Sequence, residues 1–270
     1  MIEHAEKPKR GRPRSAMGNA GPSPVQALDR GLTILQALAG QQGAGLSDLA
    51  RQVAMPPSTA HRFLATLQTH GFVDFDTHTQ EWSIGIGAFR VGNTYLRRTN
   101  LVEAAQAPMR RLMEETGETA NLGIADQGFI VFISQIETQN PIRAMFRAGA
   151  RSQMHASGIG KAMLAHMPRE AVVKLIEANG LPEFTPQTLS NPDTLFSDLE
   201  AIAGRGWAFD NEERYTGMRC IASAVFDRQG APMAGVSISG PVARFTDELI
   251  AKAGPLVQAA AAEITTLTGG

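Results

Sequence analysis

The sequence predicts an α+β protein in two parts, a winged helix-turn-helix followed by a larger antiparallel sheet domain with segregated helices. Three observations predict it. Residues 25–70 carry three successive helical periodicities broken by glycine and proline, and two short strand-like runs follow. Residues 119–240 hold further strand-like runs, the last two meeting at a short turn, with helical stretches between them. Charge is also divided: residues 1–98 carry 11 basic and 7 acidic side chains, net +4, whereas residues 99–270 carry 14 and 19, net −5. A basic front and an acidic back place any polyanionic partner at the front. The length of 270 residues, 43% hydrophobic and 19% charged, suits two modest globular domains.

Residues 1–23 read as a disordered basic tail. "EKPKRGRPR" and "GNAGPSP" are too polar and too rich in Pro and Gly to bury a core. Gly11-Arg12-Pro13 is similar to the centre of an AT-hook, which would put Arg12 and Arg14 in a narrow minor groove. A solubilising, non-specifically adhesive tail is the plainer reading.

Helical periodicity begins near Val25. Leu28, Leu32 and Leu35 align, with Ile34 and Leu38 alongside, until the break at residues 40–45. Leu46, Leu49, Ala50 and Val53 mark a second, short helix with Ser47 as its expected cap. The third helix lies in "AMPPSTAHRFLATLQTHGFV", where Ala60, Phe63, Leu64 and Leu67 form one buried side. Prolines are tolerated in its first turn because those N–H groups have no intrahelical acceptor. Pro57, Ser58, Thr59, His61 and Arg62 crowd that turn and point elsewhere. After Gly71, "FVDF" and "EWSIG" read as strands joined by "DTHTQ".

Three helices and a hairpin make a winged helix-turn-helix, expected over residues 24–85. The third helix would then enter the major groove of DNA by its N-terminal end. Ser58, Thr59 and Arg62 would reach phosphates and base edges, Arg62 having the fork geometry that guanine accepts. An ordinary solvated helix face carries the same residue types; the tail, the hairpin and the charge division favour DNA.

Residues 86–117 read as helical in two pieces, a linker helix over 86–102 and then the start of the second domain, 103–270, with Gly117 ending the second piece. Strands are expected at "TANLGIAD", "FIVFISQIE", "IRAMF", "WAFDNE", "CIASAVFD" and "PMAGVSISG", the last two meeting at Asp227-Arg228-Gln229-Gly230. Helices are expected at "GIGKAMLAHM", "REAVVKLIEANG", "TLFSDLEAIAGRG" and residues 246–267. No apolar run reaches a membrane span and no secretory signal appears. Cys220 is the single cysteine, so a cytoplasmic protein is expected.

From about Val25 onward the chain resembles the IclR family of bacterial transcription regulators. The matching stretches are "ALDRGLTILQAL", "LSDLARQVAMPPSTAHRFLATLQTHGFV", "GNTYLRRTNLVEAA", "MHASGIGKAMLA" and "GVSISGP". The resemblance implies a winged helix, a linker helix and a GAF-like C-terminal domain that binds a small effector. It also implies homodimers or dimers of dimers on palindromic double-stranded operators. The positions matching Gly158, Ile159, Asp210, Cys220, Ser237 and Ser239 would line the effector pocket. One departure stands out: the family's wing often carries basic residues, but this one carries Asp74, Asp76 and Glu81, which phosphates repel.

The residues of the second domain, read alone, suit a polar ligand but fit a plain helix start and a solvated serine face as well. "HASGIGKAML" is not a phosphate loop, because His155 stands five before Gly160 and Ala162 follows Lys161. It reads better as a helix start at which N–H groups near Ser157, Gly158, Ile159 and Gly160 would meet a small anion; glycines that merely allow close packing are the plainer account. "GVSISG" misses the nucleophile elbow, since Ser239 stands where glycine is required. As a strand it puts Ser237 and Ser239 on one side and Val236 and Ile238 on the other.

Serines and backbone amides suit a carboxylate. An ionised Asp210 can only accept hydrogen bonds, so it favours a ligand that donates or needs a raised pKa beside an anion. Cys220 fits a packing thiol or a reversible adduct with an aldehyde. For relatives that regulate glyoxylate metabolism these residue types suit a compact oxo-acid, so glyoxylate is the expected effector, with an aromatic acid as runner-up. A GAF-like enzyme using Cys220, Asp210 and His155 is the alternative of a different class. The six histidines show no metal spacing, so neither metal nor cofactor is expected. Met113, Met145, Met154, Met163 and Met167 read as core fillers.

Overall fold

The computed structural model describes residues 25–270, the side chains of 96–99 excepted, and its chain divides into two compact units between Arg90 and Val91. Arg12 and Arg14 lie outside the described residues. The first unit runs α1 (Gln26–Ala39), β1 (Ala44–Gly45), α2 (Leu46–Gln52), α3 (Pro57–Thr69), β2 (Val73–Asp76) and β3 (Glu81–Ile84). Its strands form an antiparallel sheet in the order β1-β3-β2. Ile34, Leu38, Leu49, Ala60, Leu64, Val73 and Trp82 make the core, with Phe63 and Leu67 packed against it. The buried side read from α3 is therefore the one observed.

Two expectations for this unit are corrected. In α1 it is Ile34 and Leu38 that are buried, while Leu28 and Leu32 are 62% and 48% exposed. The core is small, and only the C-terminal turns of α1 cover it. Ser47 is not a cap: α2 begins at Leu46 with Gly45 as its N-cap, and no side chain caps it. The pairing of Ala44 and Gly45 with Trp82 and Glu81 carries the chain, extended, straight into the helix. The turn into α3 bends at Ala54, whose φ is +50°, and Pro57 occupies the first helical position, where its missing N–H costs nothing.

Helix α4 (Ile86–Thr99) is followed after one residue by α5 (Leu101–Thr116). That residue, Asn100, has φ +49°, a left-handed conformation asparagine tolerates better than most residues. Gly117, with φ +70°, ends α5 as read from the sequence.

The second unit continues with β4 (Thr119–Asp126), β5 (Phe129–Ile136), β6 (Arg151–Gln153), a 3₁₀ turn (Met154–Ala156), α6 (Gly158–Leu164), α7 (Arg169–Asn179) and α8 (Pro192–Arg205). It ends with β7 (Ala208–Asn211), β8 (Met218–Phe226), β9 (Pro232–Pro241) and α9 (Asp247–Leu267). The sheet is antiparallel throughout, in the order β6-β5-β4-β9-β8-β7. Leu112 of α5 and Val257 and Ile264 of α9 cover one face, meeting Leu122, Val236 and Ile238. Ile159 and Met163 of α6, with Leu195 and Ile202 of α8, cover the other against Ile130 and Ala222. The β8–β9 turn is where the sequence put it: Asp227 Oδ1 accepts from the N–H groups of Gln229 and Ala231, both at 2.9 Å.

"IRAMF" is not a strand. The edge position beside β5 is taken by Arg151–Gln153, and Phe146 instead stacks on Phe132 at 4.3 Å. Ile142 and Met145 are 70% and 64% exposed, so Met145 fills no core, whereas Met154 and Met163 do. Among the described residues no helix is long and apolar enough to cross a membrane.

Candidate functional site

The first unit presents the N-terminal end of α3 to solvent. Pro57, Ser58, His61 and Arg62 are exposed and Thr59 is half-buried. No acidic residue stands in the first turn, so the partial positive charge of that helix end is not offset locally. His61 also meets the edge of Trp82, ring centres 6.2 Å apart, which ties the helix surface to the wing strand β3. Ser47 is exposed on α2. In the wing, Asp74, Asp76 and Glu81 are all exposed. Asp76 has a local task, its Oδ1 accepting from His78 N–H at 2.7 Å and Thr79 N–H at 3.3 Å to fix the hairpin turn.

In the second unit, strand register composes a polar floor. Asp210 of β7 pairs with Cys220 of β8, Cys220 with Ser239 of β9, and Ser239 with Thr119 of β4. The neighbouring row runs Ala208, Ala222, Ser237, Asn121 and Gln135. Directly paired residues point to one face, so alternation along β9 sends both serines to the side opposite Val236 and Ile238. Helix α6 lies above this floor. A Cβ on Gly158 would stand 2.8 Å from the Cys220 sulfur and 3.3 Å from the Ala222 methyl, so only glycine permits the approach. A Cβ on Gly160 would stand 2.2 Å from the Met154 carbonyl oxygen. These glycines thus do the close-packing work and also leave the start of α6 beside the floor.

Between floor and helix is a cavity lined by Ser157, Gly158, Ile159, Asp210, Cys220, Ser237 and Ser239. All seven residues expected to contact the effector therefore line one space, whereas Gly160, whose N–H was expected beside an anion, does not. It is small: the room for the centre of a water-sized sphere is about 20 Å³, enough for one or two waters.

Sequence reasoning missed the other walls: Phe132, Phe146, Ser152, Ala156, Arg214, Tyr215 and Met218. It also missed Asn121, fully buried beneath, whose amide lies 3.5 Å from Ser237 Oγ and 3.2 Å from Ser239 Oγ. Gln135 in turn bonds Asn121 at 2.8 Å. An asparagine in the strand run "TANLGIAD" was the available signal. Nothing in the sequence signals that the loop residues Arg214 and Tyr215 border the cavity.

Burial dominates the electrostatics. It pushes the Asp210 carboxyl up, against the opposing Glu213 N–H and the charge of Lys161; that N–H donates to Asp210 Oδ1 at 2.8 Å. Burial raises Glu213 too, against the attraction of Lys161. Burial and the charge of Asp210 push the Cys220 thiol up to about 12, despite the Ser239 and Ser237 hydroxyls. A thiol so held is protonated at neutral pH and a poor nucleophile. Burial alone would lower Lys161, but Glu213 and Asp198 outweigh it and the ammonium stays charged. Lys161 Nζ donates to Asp198 Oδ2 at 2.7 Å, Phe209 O at 2.7 Å and Glu213 Oε1 at 2.6 Å. His155 stands outside the cavity lining, its Nε2 3.1 Å from the Pro182 carbonyl, and burial lowers its pKa. The imagined Cys-Asp-His set is therefore not assembled, and a thiolate adduct loses its chemical basis.

A helix-turn-helix unit joined to a sheet unit whose cavity has a polar floor is the architecture of a ligand-responsive DNA-binding regulator. Known proteins agree. The IclR helix-turn-helix domain matches residues 27–77, and the C-terminal domain of bacterial transcriptional regulator IclR matches residues 93–266. The HTH-type transcriptional regulator BhcR of Paracoccus denitrificans is 46% identical over 260 residues, 95% of this chain and 93% of that protein. The acetate operon repressor of Salmonella typhimurium is 39% identical over 265 residues, 97% of each chain. The crystal structure of the Thermotoga maritima IclR superposes with a TM-score of 0.73 at 30% identity, over 91% of this chain and 99% of that one. The chain belongs to the IclR family: it is a transcriptional regulator with an effector-binding C-terminal domain, not an enzyme.

Proposed function

We propose that this regulator binds a palindromic operator through α3 and that a small carboxylic acid in the cavity, glyoxylate foremost, alters that binding. Pro57, Ser58, Thr59, His61 and Arg62 would contact the major groove, Ser47 the backbone, and Arg12 and Arg14 the adjacent minor groove. The acidic wing would stay off the phosphates, leaving that role to the basic tail. The working divisions are a tail at 1–23, a DNA-binding domain at 24–85, a linker helix at 86–102 and an effector domain at 103–270. The protein would act in the cytoplasm as a homodimer or dimer of dimers, matching the symmetry of its site. Ligand closing the cavity would reset the spacing of paired winged helices through the linker, a coupling of about 1–3 kcal/mol.

The observation that carries this reading is the convergence of Ser237, Ser239, Asp210, Cys220 and the start of α6 on one cavity of about 20 Å³. Its polar floor suits an oxo-acid, and its small free space favours a compact ligand over a bulky one, with the walls opening to admit it. The Phe132–Phe146 stack on the cavity wall favours an aromatic acid as the second reading.

The test is operator binding by the full chain with and without glyoxylate, in wild type and in the Ser237→Ala/Ser239→Ala double variant. Glyoxylate should shift wild-type affinity about tenfold or more, and the double variant should bind DNA normally without responding. An intact response in the double variant rejects this cavity. A response to benzoate alone selects the aromatic reading.

A further inference from the structure

Beside the cavity, buried carboxylates outnumber the buried cation that answers them. Asp210 of β7 lines the cavity, and Glu213 follows it in the loop before β8; both are buried. The Glu213 N–H donates to Asp210 Oδ1 at 2.8 Å, the single hydrogen bond to that carboxylate among the described residues. Lys161 of α6 supplies a buried ammonium, but its three donors go to Asp198 of α8, the Phe209 carbonyl and Glu213 Oε1. None is left for Asp210, and Glu213 Oε2 has no partner. One ammonium thus faces three carboxylates, a net −2 with all of them ionised. The other elements around the pair do not redress this. Strand β8 presents Cys220 opposite Asp210, a thiol that burial keeps protonated, and β9 presents the hydroxyls of Ser237 and Ser239. The loop before α8 offers Glu213 only the hydroxyls of Thr185 and Thr188, which bond its carbonyl. Arg205 stands 3.8 Å from Asp198, Arg214 turns its guanidinium onto the Phe184 ring, Glu212 accepts from the Gly217 N–H, and burial keeps His155 neutral.

Burial already favours the protonated form of both carboxyls. An anion entering the cavity brings a further negative charge against Asp210, where little water screens it. Like charges held together bind a proton that neither would hold alone, and such a proton belongs to the group rather than to one residue. We propose that each anionic ligand seated in this cavity draws one proton from solution onto the Asp210–Glu213 pair, so that the regulator grips its effector more weakly as pH rises. This rests on the reading of the cavity as an effector site and adds its regulation. Ligand anion, ionised carboxylate and one solvent proton become a bound anion beside a carboxyl group, and no other bond is made or broken. Where acid has already protonated the pair, nothing is taken up and affinity is greatest. Above that range affinity falls, by at most about tenfold per pH unit for one proton.

The experiment is calorimetric titration of the full-length protein with sodium glyoxylate at pH 6.5, 7.5 and 8.5, for wild type, Asp210→Asn and Glu213→Gln. At pH 7.5 it is run in HEPES and in triethanolamine, whose heats of ionisation differ, so that the difference in binding heat counts protons. Wild type should take up about one proton per ligand, with Kd rising about threefold to tenfold from pH 7.5 to 8.5. Each variant should take up less than about half as much. Glu213 lies outside the cavity lining, so its variant decides should Asp210→Asn not bind. Binding by wild type without uptake, at a Kd that changes less than about twofold across the range, overturns the proposal and leaves the cavity assignment standing; ionised Asp210 would then accept from the ligand's hydrated aldehyde. Undiminished uptake in the variants also overturns it, since the proton would lie elsewhere. No binding of glyoxylate by wild type at any of the three pH values overturns both.

Discussion

Along β9 the side chains of Val236 and Ile238 enter the apolar layer beneath α5 and α9, whereas those of Ser237 and Ser239 line the cavity beneath α6. Both sets are almost completely buried, yet they are held by different physics. The apolar face gains from each side chain removed from water, about 1.5–3 kcal/mol for an isoleucine or valine, and tolerates no polar guest. The cavity face buries Asp210, Ser237, Ser239 and Asn121, which gain little by burial and must be paired. Some groups there lack a partner altogether: Glu213 Oε2 and two nitrogens of Arg214. At β9 one side of the sheet is wholly apolar, whereas the other sets polar groups, some without a partner, into an apolar core of its own.

Substitutions can break this contrast in order of expected size. Ile238→Ser puts a cavity-type side chain on the apolar face. It should cost about 4–6 kcal/mol, the loss of a buried isoleucine plus an unsatisfied hydroxyl, read as a lowered denaturant midpoint. Loss of less than about 1 kcal/mol would mean the two faces are not so different. Lys161→Met attacks the charge network beside the cavity. Removing the ammonium strands Glu213 and Asp198, for an expected loss of about 3–4 kcal/mol by the same measurement; an unchanged midpoint would show that neighbouring water already serves them.

The smallest effect concerns pH. The folded-state pKa of Asp210 is raised by burial, so folding takes up a proton there. The associated stability is full below the unfolded aspartate pKa and declines as pH rises through the raised value toward neutrality. Asp210→Asn should remove about 1–2 kcal/mol of that decline, seen as a flatter plot of melting temperature between pH 4 and pH 7. An unaltered slope would assign the decline to Glu213 alone, whose pKa is raised in the same direction.

Much of this was legible in the sequence, for reasons that separate cleanly. Alternation in "GVSISG" gave the facing of β9 because a strand has only two sides. Gly117 and the Asp227–Gly230 turn were readable because a left-handed glycine and an aspartate that caps its own turn are local chemistry. The seven cavity residues came mostly through family resemblance, and strand register explains why they meet. What escaped depended on distant partners. "IRAMF" has strand-forming residues, but its phenylalanine was drawn away to stack on Phe132. The α1 stripe was misphased because burial there depends on how far the small core extends, which no periodicity records. Arg214 escaped because an arginine in a polar loop looks wholly solvated, and only the fold shows two of its nitrogens buried.

The single cysteine has a practical consequence. Cys220 sits in the floor of the cavity, 9% exposed, with its pKa pushed up to about 12. Burial and the raised pKa both slow a thiol reagent there. The natural chain thus carries a built-in probe: the rate at which iodoacetamide modifies this one sulfur reports access to the cavity floor, and a ligand seated there should slow it, with no engineered label required.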